Sequence, residues 1–137
     1  MRIYLDSSAL TKRYISESGS QKINEIFLEA KEIFICVIAL PEIISALSRN
    51  KKEKKITPEQ YDIGKRELAM DFVDFKVCDL IAEVISKTVY LIEKYSLKTL
   101  DALHVACALV AEVDMFISSD RKQLSAAQKE KLKVLYV

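Results

Sequence analysis

Four acidic residues sit where strands should end or helices begin. Asp6 follows the apolar run Ile3-Tyr4-Leu5, Asp120 follows Phe116-Ile117-Ser118-Ser119, Glu42 follows Pro41, and Asp101 lies two residues past Thr99. Oxygen donors select hard cations, so a shared site would take Mg²⁺ or Mn²⁺ in preference to Zn²⁺. Carboxylates crowded together repel, and such a cluster persists only with protonation or a bound cation. A divalent ion held this way can orient and acidify a water for attack and neutralise negative charge on a substrate, so no histidine base is required. Asp6 and Asp101 are the choice for direct ligation, with Glu42 and Asp120 completing the set. Taken singly, each acid has a plainer reading. A carboxylate in a first helical turn gains about 0.3–1 kcal/mol from the helix dipole, which covers Glu42 and Asp101, and Asp6 or Asp120 can cap a following helix.

The segments between these acids decide whether they can meet. Short β-branched runs at 3–5, 33–37, 75–78, 115–117 and 134–137 read as strands. Longer stretches with a 3.6-residue period separate them. Ser7-Ser8 can cap a helix through Tyr14, and Ile23, Ile26, Phe27 and Ala30 line one face of a helix over 21–30. Pro41 is expected at the first position of a helix reaching Arg49. Thr57-Pro58-Glu59-Gln60 is a capping box opening a helix to Phe72. The period continues over 80–95, over the almost wholly apolar 99–111, where Thr99 is the expected cap, and over 122–131. Strands alternating with helices imply right-handed crossovers and a mostly parallel sheet of four or five strands, covered on both faces. Such sheets bind ligands beyond the carboxyl ends of their strands, which is where Asp6 and Asp120 fall.

Composition narrows the field. The chain has 137 residues, the size of one domain, and residues 1–137 are read as one unit. Half of its residues are apolar and it contains only 2 Gly and 2 Pro, which excludes disordered and collagen-like classes. The longest apolar run, Ile33 to Leu40, is far short of the ~20 residues of a membrane helix. The N-terminus reaches Asp6 too early for a signal peptide, so a cytoplasmic location without membrane attachment is expected. The 21 basic and 20 acidic side chains nearly cancel, so recognition of a charged partner must be local. Cys36, Cys78 and Cys107 lie in apolar segments without C-x-x-C spacing and read as reduced core thiols.

The runs Ile3-Tyr4-Leu5-Asp6-Ser7-Ser8-Ala9-Leu10, Pro41-Glu42, Leu97-Lys98-Thr99-Leu100-Asp101-Ala102-Leu103-His104-Val105-Ala106 and Phe116-Ile117-Ser118-Ser119-Asp120 resemble the PIN domain. More narrowly they resemble the VapC toxin ribonucleases of type II toxin–antitoxin modules, nearly end to end. The resemblance implies a three-layer PIN-like fold, Mg²⁺ or Mn²⁺ as cofactor, and cleavage of RNA, with tRNA or rRNA as substrate. It also implies a cognate antitoxin protein and a homodimer. Asp6, Glu42, Asp101 and Asp120 match the family's acidic positions, and Ser118 matches its hydroxyl residue two before the last acid. The chain departs from the family in Lys98, where Arg is frequent, and in Ala39-Leu40-Pro41, where Ser or Thr precedes the second acid. Lys cannot make the bidentate phosphate contacts of Arg.

Ser7 either positions a metal-bound water or phosphate, or caps a helix. Lys12, Arg13, Lys98 and Arg121 are the candidate RNA phosphate contacts, while the run Arg49, Lys51, Lys52, Lys54 and Lys55 reads first as a solvated helix end and second as an RNA track. His104, the only histidine, has apolar neighbours and reads as a hydrogen-bonded structural residue in preference to a general acid. Self-association is expected through apolar residues on the helices after the second strand. The sequence thus favours a metal-dependent endoribonuclease, against a related enzyme acting on DNA or another phosphate ester and against a non-catalytic binding domain.

Overall fold

Along the strands, side chains alternate between two apolar layers. In the computed structural model, which describes residues 1–137, the strands are β1 (Arg2–Leu5), β2 (Glu32–Cys36), β3 (Lys76–Cys78), β4 (Met115–Ser118) and β5 (Lys133–Tyr136). They form one sheet in the order β3-β2-β1-β4-β5, parallel throughout. Ile3, Leu5, Ile35 and Ile117 face one layer, and Tyr4, Phe34, Cys36 and Phe116 face the other. This period of two on a sheet covered on both faces is what makes each strand apolar over its whole length.

Helices α1 (Ser7–Tyr14), α2 (Ser20–Glu29), α3 (Ala39–Lys52) and α4 (Pro58–Phe72) cover the first face through Leu10, Ile23, Ile43, Leu47 and Leu68. Helices α5 (Ala82–Tyr95), α6 (Thr99–Val110) and α7 (Arg121–Lys129) cover the second through Val84, Leu91, Val105 and Leu124. The molecule is a three-layer α/β fold with a five-stranded parallel sheet, at the upper end of the sequence expectation. α6 is buried continuously from Ala102 to Ala108, as its apolar composition requires. No helix is long and apolar enough to cross a membrane.

The strand order carries the functional geometry. The first two crossovers step from β1 to β2 to β3, and the third returns to β4 on the other side of β1. The chain leaves β1 into one helical layer and leaves β4 into the other. Their carboxyl ends therefore flank the crevice where parallel sheets bind ligands.

Three local expectations are corrected. Pro41 is the third residue of α3, because the helix already starts at Ala39; the first-turn N–H groups lack helical partners, so proline is tolerated there too. α6 is preceded by Lys98 in extended conformation with no side-chain cap, so Thr99 is its first helical residue and not its cap. α1 is capped by Asp6, whose Oδ1 accepts the Ala9 N–H at 2.9 Å, and not by Ser7 or Ser8.

Candidate functional site

Pairing of Leu5 with Ile117 places the two residues that follow them side by side at the sheet edge. Ser118 Oγ donates to Asp6 Oδ2 at 2.7 Å and accepts the Asp120 N–H at 2.8 Å, so one hydroxyl ties the first acid to the backbone of the last. Ser8 Oγ lies 2.8 Å from each Asp6 oxygen. Asp6 is only 1% exposed. Burial raises its carboxyl above the ordinary range, against the pull of His104 and of the hydrogen bonds from Ala9, Ser118 and Ser8.

Glu42, in the first turn of α3, meets α1 and α6. Its Oε1 accepts from Ser7 Oγ at 2.7 Å and lies 2.7 Å from His104 Nε2. The other imidazole nitrogen, Nδ1, is 2.8 Å from the Tyr4 hydroxyl. Burial works against charge on Glu42, but the bond and charge of His104, with the Ser7 hydroxyl, hold its carboxyl below the usual range. For His104, burial opposes protonation, and the Glu42 bond with the Asp6 and Glu42 charges outweighs it and raises its pKa.

Asp101, in the first turn of α6, accepts from Gln123 Nε2 of α7 at 3.0 Å. Asp120 caps α7, its Oδ1 accepting the N–H groups of Lys122 at 2.8 Å and Gln123 at 3.2 Å. Burial and then the Asp120 charge raise the Asp101 carboxyl, outweighing Gln123, His104 and Lys98. Gln123 thus links Asp101 to Asp120. It is missing from the sequence reading, although Asp120-Arg121-Lys122-Gln123 has the spacing of a capping box, in which the fourth residue reaches back to the cap. Here that amide turns to Asp101 instead.

The donor set suits a hard cation. Every carboxylate is anchored by hydroxyl, amide or imidazole groups, while Glu42 Oε2, Asp101 Oδ2 and Asp120 Oδ2 have no hydrogen-bond partner. Two buried polar atoms of the same neighbourhood, Ser119 Oγ and Gln123 Oε1, are also unpartnered. No three Asp, Glu, His or Cys side chains come together as a group that would by itself hold a metal ion. The acids form an edge-lining set linked through Ser118, His104 and Gln123.

A groove of about 720 Å³ leads away from Glu42 between α1 and α3, with Ser7, Thr11, Lys12, Ser45 and Arg49 on its walls. Arg49 lies two helical turns beyond Glu42, about 10 Å at 1.5 Å per residue, and is exposed. Lys12 also reaches the groove, but its ammonium donates to Ser18 O at 2.7 Å and pairs with Glu17 at 3.4 Å. Lys98 is exposed close enough to lower Asp101, and Arg121 lies 4.4 Å over the ring of Tyr136. Arg13 is engaged elsewhere: it forms a two-bond ion pair with Asp71, donates to Asn24 and lies 4.0 Å over Phe27.

The PIN domain family matches residues 3–129. The chain belongs to the PIN domain family. Solved structures carry the same fold. A toxin–antitoxin complex from Klebsiella pneumoniae matches with a TM-score of 0.67 at 18% identity over 90% of either chain. VapC20 of Mycobacterium tuberculosis, a sarcin-ricin loop cleaving toxin, matches at 0.71 and 11% identity, over 90% of this chain and 94% of that one. VapBC2 of Rickettsia felis, bound to a promoter DNA fragment, matches at 0.69 and 15% identity, over 100% and 99%. At these identities the likeness is one of fold. No curated protein matches the sequence.

Proposed function

We propose that this PIN domain is a divalent-metal-dependent endoribonuclease, the VapC-like toxin of a cytoplasmic toxin–antitoxin pair. The observation that supports this reading is the position of Asp6 after β1, of Asp120 after β4, and of Glu42 and Asp101 in the first turns of α3 and α6, with one oxygen of Glu42, Asp101 and Asp120 left without a partner. Asp6 and Asp101 would hold Mg²⁺ or Mn²⁺, with Glu42 and Asp120 completing the set. A bound ion would supply an acidified water and neutralise charge on the phosphodiester.

The chain's own residues orient the acids. Ser118 fixes Asp6 relative to Asp120, and Ser7 fixes one oxygen of Glu42. Lys98 and Arg121 would meet the phosphate at the mouth of the crevice. Arg49 would track the strand along the groove, as cations along a single-strand channel do, while Lys12 is held by Ser18 and Glu17. The fold relatives include a sarcin-ricin loop cleaving toxin and a toxin–antitoxin complex, which supports RNA as substrate and an antitoxin as partner.

Self-association is part of the reading. Ile81, Ile85 and Val89 form an exposed apolar row at i, i+4 and i+8 on α5 and its leading residue, with Leu80 beside it. A homodimer covering this row would use the helix after the third strand; the helices after the second strand, where the sequence places self-association, also expose Ile63 and Met70 on α4. The primary test is cleavage of tRNA and rRNA by purified protein with Mg²⁺ or Mn²⁺ and with excess EDTA. Cleavage that survives EDTA overturns the metal mechanism, and hydrolysis of DNA alone overturns the substrate.

A further inference from the structure

His104 is 1% exposed, yet both ring nitrogens bond to side chains from other elements. Nε2 faces Glu42 Oε1 at 2.7 Å, with Ser7 Oγ at 3.2 Å, and Nδ1 faces Tyr4 O–H at 2.8 Å. Tyr4 is fully buried in β1, and its ring stacks on Phe116 of β4 at 5.4 Å between centroids. The sheet centre therefore fixes the tyrosine, the tyrosine fixes the imidazole, and the imidazole fixes Glu42.

The bonding partners also assign the proton on Nε2. An N–H there donates to the carboxylate, and neutral Nδ1 accepts from the tyrosine hydroxyl, so both imidazole nitrogens and the Tyr4 hydroxyl are paired. The opposite tautomer turns a lone pair toward the Glu42 carboxylate and strands the tyrosine hydrogen. Protonation of Nδ1 leaves the Nε2–H to Glu42 in place, so the contact exists in either charge state.

His104 also lies one turn below Asp101 on α6. A displacement of that helix would move both the Asp101 carboxylate and the group that holds Glu42. A free Glu side chain samples many rotamers, and two hydrogen bonds on one oxygen leave only Oε2 open to the groove. A histidine serving only to fill the core would not need three polar partners drawn from β1, α1 and α3.

We propose that His104 is a positioning residue which, held by Tyr4, sets the orientation of Glu42 and couples it to Asp101. This rests on the metal-nuclease reading of the site. Loss of a partner that orients a ligand costs typically 10–100-fold in metal affinity or activity.

The test compares His104→Gln, which keeps an N–H donor toward Glu42, with the double variant His104→Leu, Tyr4→Phe. The double change removes the donor without leaving a buried tyrosine hydroxyl unpaired. Each is measured by thermal melting, by Mn²⁺ binding followed by electron paramagnetic resonance, and by kcat and KM on RNA. The expected result is a double variant that melts near wild type, binds Mn²⁺ 10–100-fold more weakly and loses kcat with KM little changed, while His104→Gln recovers most of both. Wild-type Mn²⁺ affinity and kcat in a folded double variant would overturn the proposal, as would a Gln variant as impaired as the double one. If wild type binds Mn²⁺ but does not cleave RNA, the substrate reading falls while weakened Mn²⁺ binding in the double variant still supports His104. Absence of Mn²⁺ binding by wild type overturns both.

Discussion

Ser118 Oγ lies 2.7 Å from Asp6 Oδ2, across the boundary where the chain has left β1 toward one helical layer and β4 toward the other. Asp6 is buried and its carboxyl is shifted upward by that burial, so the donors around it are what make its charge tolerable there. Ser118→Ala removes one of them. A hydrogen bond to a charged group contributes about 1.5–3 kcal/mol, and the loss should appear at neutral pH as a lower urea midpoint with an unchanged m-value. An unchanged midpoint would mean that Ser8 and the Ala9 N–H alone suffice.

Arg49 and Arg13 should separate binding from stability. Arg49 lines the groove and is exposed, so Arg49→Ala should raise KM with little change in kcat and reduce the salt slope of RNA binding by about 1. Arg13 is committed to Asp71, Asn24 and Phe27, so Arg13→Ala should lower the melting temperature and leave the salt slope intact. A reversed pattern would place the RNA on the other side of α1.

The contrast between these two arginines shows where sequence stops informing. Both belong to basic runs on helices, and nothing in either run reveals that Asp71, 58 residues away, claims Arg13. Asp6 and Asp120 were legible because each follows a short apolar run, and a parallel sheet places such ends at its ligand edge. The Thr57 capping box was legible because all its parts lie within four residues. The order β3-β2-β1-β4-β5 was not, since strand pairing is non-local. His104 was read as a hydrogen-bonded structural residue from its apolar neighbours, and the structure places it in hydrogen bonds; its three partners lie 62, 97 and 100 residues away, beyond any local pattern.

Glu130 supplies a pH test away from the site. Although burial opposes its charge, bonds from Tyr95, Lys94 and Tyr90 hold its carboxyl below the usual range. A carboxylate with a depressed folded pKa contributes stability that is present above the unfolded value, near 4.5, and is lost as pH falls through the folded one. Glu130→Gln should therefore cost up to about 1 kcal/mol at pH 7, as exposed pairs do, and progressively less below the unfolded value. Urea titrations of both proteins at neutral and acidic pH check this, and a difference that grows on acidification would contradict the sign.

The apolar row on α5 predicts the state of association. Wild type should scatter as twice 15.6 kDa at micromolar concentration, and Ile85→Glu should return it to 15.6 kDa. Residue 85 is already exposed, so the substitution should change the melting temperature of the monomer little. A wild-type mass of one chain would leave the row without a second copy to cover it.

The last prediction separates a shared metal site from unrelated helix caps. Burial and the Asp120 charge both disfavour ionised Asp101, and its Oδ1 accepts from Gln123 while Oδ2 has no partner. Asp101→Asn keeps an oxygen for Gln123 and removes the repelling charge, so without metal the variant should be as stable as wild type or more so. If Asp101 served only the dipole of α6, the same change would cost about 0.3–1 kcal/mol. On the proposed reading Mg²⁺ would bind only the folded site, so at 100-fold excess over its dissociation constant it should stabilise wild type by about 2.7 kcal/mol. The variant should lose most of that increment. Melts of both proteins in EDTA and in Mg²⁺ decide between the readings: equal Mg²⁺ shifts, with the variant less stable in EDTA, would make Asp101 a cap and remove it from the metal site.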